Sequence, residues 1–232
     1  MLRVMREVVG KEACVRFNKE PVSAYTHMAG FLAALIGVVP LIVLSLGQTS
    51  RTVGMAVYGG SLLLVFLAST VYHLLDIGEK GNRWLQRIDH AAIFLLIAGT
   101  YIPAFMFALD GAWRISMLSV VSGIAVAGVV LKLLWIDLPR RLSAAMYLAM
   151  GWIVVVPAWI ALPRLTTPSL TWLVIGGAVY TLGAIVYATK RPDPLPGRFG
   201  HHEVFHLFVL GGAGCHYVAM LDLVRQTYPP FV

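Results

Sequence analysis

Residues 61–76 read SLLLVFLASTVYHLLD, apolar almost throughout yet holding Ser69 and His73 and ending on Asp76. Extended back to residue 52, this run reaches the ~20 residues that a helix needs to cross ~30 Å of hydrocarbon. Six further runs of that kind lie at 24–46, 88–108, 114–133, 142–161, 169–188 and 201–223. The chain of 232 residues is 59% hydrophobic and 12% charged, about half the ~25% charge of a soluble domain. The expectation is an all-α, seven-transmembrane helix bundle occupying 24–232 behind a leader at 1–23. That leader, MLRVMREVVGKEACVRFNKEP, is mixed in charge and has no continuous apolar core, so it does not read as a signal peptide.

The net charge of +7 is explained by where the basic residues fall. Fourteen lie in the leader and in the loops after the second, fourth and sixth runs: Arg3, Arg6, Lys11, Arg16 and Lys19; Lys80, Arg83 and Arg87; Lys132, Arg140 and Arg141; Lys190, Arg191 and Arg198. Only four, Arg51, Arg114, Arg164 and Arg225, lie on the other side. Such an imbalance places the N-terminus in the cytoplasm and, after seven crossings, the C-terminus outside. It also assigns the basic side chains to anionic headgroups rather than to nucleic acid.

Small and kinking residues punctuate the runs. Gly123, Gly128, Gly176, Gly177, Gly211, Gly212 and Gly214 are expected to let helices approach closely, and Pro103 and Pro157 to kink theirs. Cys14 falls in the leader and Cys215 midway along the seventh run, a placement that predicts two free thiols.

Ionisable groups inside a span cost roughly 2.5–3.5 kcal/mol each on insertion scales, so each is a functional candidate. The set comprises His27 at the start of the first run, His73 and Asp76 at the end of the second, Asp89 and His90 at the start of the third, and His201, His202, Glu203 and His206 at the start of the seventh, with His216 deeper. Given the alternation of spans, all the histidines except His216 share one layer near the inner leaflet. His202 and His206 are four residues apart, which stacks them on one helix face where they can share a metal. His73 is the natural third ligand, and Ser69, also four residues away from it, lies one turn deeper on the same face. Three neutral imidazoles around Zn²⁺ leave a fourth position open, as in catalytic sites, and zinc can bring the pKa of bound water to about 7. Asp89, at the head of an apolar run, fits the role of proton shuttle.

Other residues have plainer readings. His27, His90 and His201 read as interfacial residues bonded to water or a carbonyl, Asp76 as the solvated end of its span, and His216 as a buried hydrogen-bonding residue. The string HEVFH at 202–206 fits the zincin pattern H-E-x-x-H, but helical geometry turns Glu203 off the ligand face.

FLASTVYHLL, IDHAAIFLLIAGTYIPAF, YLAMGW and HEVFHLFVLGGAGCHYVAM resemble, in order, segments of the bacterial hemolysin III family, the prokaryotic branch of the progestin and adipoQ receptors. The resemblance begins at EPVSAYTHMAG and covers about nine tenths of the chain. It departs at TYIPAF, where many relatives read Thr-Pro-Phe. It implies a seven-helix protein of the bacterial plasma (inner) membrane with zinc on His73, His202 and His206, Asp89 bound to that zinc through water, and Ser69 beside it. It further implies a role in membrane-lipid homeostasis, since the wider superfamily includes alkaline ceramidases.

The leading expectation is therefore a zinc-dependent intramembrane hydrolase of lipid-like amides or esters. Its partners would be membrane lipids and a lipid or fatty-acyl substrate, with Asp89 and Ser69 as catalytic groups. The alternative is a regulator of membrane fluidity or energetics, or a lipid sensor, with structural zinc. An intramembrane metalloprotease using Asp76 of LLDIG, and a pore-forming hemolysin, rank below these.

Overall fold

The computed structural model describes residues 15–197 and 199–226. Arg3, Arg6, Lys11, Cys14 and Arg198 of the readings above lie outside the described residues. The helices are α1 (Pro21–Ser45), α2 (Thr49–Leu74), α3 (Glu79–Ala108), α4 (Gly111–Leu134), α5 (Arg140–Gly151), α6 (Ala158–Ala161), α7 (Thr167–Thr189) and α8 (His201–Arg225). Six of these are long and apolar enough to cross a membrane. A seventh crossing is available as the bent pair Arg140–Val155 and Ala158–Arg164, whose axes differ by 46°.

That break falls where the sequence places Pro157, which cannot donate to the helix ladder. Backbone groups freed at membrane depth need other partners. Here Tyr101 of α3 supplies them: its hydroxyl serves the Gly151 and Met150 carbonyls, the latter at 3.1 Å, and accepts from the Val154 N–H at 3.2 Å. Pro103, by contrast, sits within the continuous helix α3.

The helices close into a bundle in which α1 packs on α2 and α8, α2 on α3, α3 on α4, α5 on α7, and α7 on α8. In their most apolar stretches α2 and α3 are 56% and 61% buried, against 22–33% for the other long helices, so these two form the centre. Ile36, Leu134, Val126 and Val174 point outward, each more than 60% exposed, which suits hydrocarbon and not water. Gly128 lets α4 approach α3 so closely that a Cβ there would lie 2.4 Å from the Phe94 ring. Gly176 does the same for α7 against His216 of α8. Gly123, Gly177 and Gly214 instead face open space, correcting their expected role, because spacing alone does not say which face of a helix meets a neighbour.

Two departures from the expected pattern matter for the site. Helix α3 begins at Glu79, nine residues before the apolar run, because EKGNRWLQR is polar but still helical; hydropathy marks the buried length and not the helix. The leader also forms structure: β1 (Arg16–Phe17) pairs antiparallel with β2 (Leu75–Asp76), the segment that follows α2 directly after Leu74.

Candidate metal centre

One end of the bundle gathers the start of α1, the end of α2 and the starts of α3 and α8. His73 leaves α2 there, and His202 and His206 stand one turn apart on α8. The potential ligand atoms of these three all lie within 4.8 Å of one another. His73 Nε2 and His202 Nε2 are 3.4 Å apart, close to the ~3.3 Å edge of a tetrahedron with bonds of ~2.05 Å to nitrogen. His73 and His206 are almost fully buried, and the His206 Nδ1 has no hydrogen-bond partner among the described residues. The donor set therefore fits a borderline-soft divalent cation that prefers imidazole.

Around these ligands the structure adds residues that the sequence reading did not single out. Glu20, just before α1, accepts a 2.6 Å hydrogen bond from His73 Nδ1. That bond holds the Glu20 carboxyl below its usual value against the opposing effect of burial, so the group is ionised at neutral pH. Its proximity to His73 depends on chain pairing between residues 53 positions apart, which no local pattern reveals.

His27 is corrected most. It is no interfacial residue: it is 3% exposed, stacked on His206 with ring centroids 3.8 Å apart, and hydrogen-bonded through Nδ1 to Ser69 Oγ at 2.7 Å. A position near the end of an apolar run looked interfacial because the packing of α1 against α8 is invisible in either helix alone. Ser69 is thus in the layer of the three histidines, with its hydroxyl engaged by His27.

Asp89 is buried on α3, its Oδ2 3.3 Å from His90 Nδ1. It is not one of the three residues whose ligand atoms cluster. Its charge does reach this end of the bundle: burial lowers the pKa of Lys19, and the carboxylates of Glu20, Asp76 and Asp89 oppose that effect. His90 Nδ1 meets the Gln86 carbonyl at 2.9 Å, in keeping with a carbonyl-bonded histidine. His201 stands apart, near Asp193 and Arg140.

A family model described as haemolysin-III related matches residues 15–217. The chain belongs to the haemolysin III family. It is 33% identical to the Hemolysin-3 homolog of Bacillus subtilis (strain 168) over 88% of its own length and 93% of that protein's. It is 32% identical to Hemolysin-3 of Bacillus cereus over 91% and 95% of the two chains. The adiponectin receptor protein of Drosophila melanogaster matches at 28% identity, over 92% of this chain and 53% of the receptor, joining the bacterial family to the adiponectin-receptor group. The protein is accordingly a multi-pass integral membrane protein of the bacterial plasma membrane.

In this haemolysin III member the HEVFH string is not arranged as a zincin site. Glu203 Oε2 accepts from the Gly200 N–H at 2.8 Å and Oε1 from the Ser23 hydroxyl at 3.2 Å, so the carboxylate caps α8 and ties it to α1. Asp76 lies in β2 and accepts from Asn82 and the Gly78 N–H, the solvated turn that its position suggested and not a ligand. A cavity of about 550 Å³ reaches His73 and His202 and continues past Tyr187 to Lys132 and Arg140. Lys132 is only 1% exposed and donates to Ser143 Oγ at 2.5 Å.

Proposed function

We propose that this haemolysin III protein holds zinc on His73, His202 and His206 and uses it to hydrolyse lipid-like amides or esters, in the manner of a ceramidase. The observation that carries the reading is the joint occurrence of three converging imidazoles and a cavity that reaches two of them; a purely structural ion needs no such access. Bound zinc supplies a Lewis acid and a nucleophile active at neutral pH.

The protein's own residues divide the remaining work. Asp89 takes up and returns the proton at its carboxylate, from a buried position on α3 that keeps bulk water from competing. Ser69, held by His27, fixes the floor of the site one turn deeper than His73. The apolar exterior supplies the acyl chain's surroundings, and the cavity admits the polar end. In this reading the histidine end faces the cytoplasm and the bundle crosses the membrane seven times, counting the bent pair; what supports the orientation is the excess of Lys and Arg in the segments that alternate to that end, with Lys132 and Arg140 lining the cavity there.

Asp89 lies outside the ligand cluster, and this observation favours a second reading in which zinc only pins α2 to α8 in a lipid sensor or a regulator of membrane fluidity or energetics. Turnover assays on a panel of lipid amides and esters with purified, zinc-loaded protein separate the two. Hydrolysis that disappears in Asp89→Asn supports the enzyme; no turnover on any substrate, with an intact cellular phenotype in Asp89→Asn, supports the regulator.

A further inference from the structure

Residues 16–20 run alongside residues 72–76 as a strap. Arg16 and Phe17 pair with Asp76 and Leu75, the Lys19 N–H reaches the Leu74 carbonyl at 3.4 Å, and the Glu20 N–H donates to the His73 carbonyl at 2.9 Å. Lys19 Nζ adds a bond to the Tyr72 carbonyl at 3.0 Å and lies over that residue's ring at 3.8 Å. The strap ends at Glu20, whose Oε2 meets His73 Nδ1 at 2.6 Å. His73 is thereby held at both its backbone carbonyl and its ring by one residue.

We propose that Glu20 is a positioning residue for the metal site: it fixes His73 as the Nδ1–H tautomer and aims the Nε2 lone pair at the point that His202 and His206 also face. The inference rests on the zinc reading above and adds to it the leader, which becomes part of the site.

Three features carry it. An imidazole has two nitrogens, and a carboxylate on one of them leaves the other as the basic, metal-binding atom. The free nitrogen here is the one 3.4 Å from His202 Nε2. And His73 lies in the last turn of α2, which ends at Leu74, so its carbonyl bonds to the strap at Glu20 and not to a further turn of helix. Glu20 is 38% exposed while His73 is 1% exposed, and both line the cavity, so the carboxylate is the outer of the two groups.

The test uses full-length protein in detergent, stripped of metal and titrated with Zn²⁺ against a chromogenic chelator, for wild type, Glu20→Gln and Glu20→Ala, with the melting temperature of each metal-free form measured in parallel. Loss of such an outer carboxylate weakens metal affinity about 10–100-fold. That loss is expected for Glu20→Ala, with a smaller one for Glu20→Gln, whose amide oxygen still accepts the Nδ1–H, and the metal-free melting temperatures should coincide. The visible band of the Co²⁺-loaded protein should shift in Glu20→Ala, which a residue that merely braces the fold would not cause. Tight wild-type binding with Glu20→Ala within twofold of it overturns this inference alone. A wild type that binds neither ion overturns the zinc reading and this inference with it. Equal losses of affinity and melting temperature in both variants also overturn it, since they make Glu20 a structural brace.

Discussion

His27 of α1 lies flat against His206 of α8, centroids 3.8 Å apart and planes 20° from parallel, while its Nδ1 bonds Ser69 Oγ on α2 at 2.7 Å. One buried ring thus joins three helices at the candidate metal centre. His27→Phe keeps the stacked ring and loses the bond to Ser69; leaving that hydroxyl unsatisfied costs about 1–3 kcal/mol. A lower melting temperature with zinc retained is expected, read by thermal unfolding and metal analysis of the same sample. Loss of zinc with an unchanged melting temperature would make His27 a ligand instead.

In the proposed hydrolysis Asp89 carries the proton-transfer role. Replacing a general acid or base lowers turnover about 10²–10⁴-fold, so Asp89→Asn should lose that much lipid-amide hydrolysis while its zinc content stays that of wild type. Single-turnover assays with fluorescent lipid amides measure it.

Tyr101 satisfies the backbone at the break between Arg140–Val155 and Ala158–Arg164. Tyr101→Phe removes the hydroxyl and takes away the donor to the Gly151 carbonyl and the acceptor of the Val154 N–H, a loss of about 1–3 kcal/mol. The melting temperature should fall without any change in zinc affinity, since the break is remote from the histidine end.

Much of this was legible in the sequence. The long apolar runs located six helices to within a few residues at most ends, since hydrocarbon thickness fixes their length, and the four-residue spacing of His202 and His206 put both on one face. His73 joined them because alternating spans return to the same end of the bundle. What stayed hidden depends on long-range packing. Glu20 looked like part of a charged leader because its partner is 53 residues away, and His27 looked interfacial because its burial comes from α8. The 46° bend was signalled by Pro157, but the hydroxyl that makes it tolerable comes from Tyr101 on another helix.

The central claim is that His73, His202 and His206 hold one zinc between α2 and α8. Zinc content per chain of detergent-purified wild type and His73→Ala, with folding checked by circular dichroism and gel filtration, tests it most directly. The account predicts close to one zinc per wild-type chain and none in folded His73→Ala. Zinc retained in folded His73→Ala would contradict it.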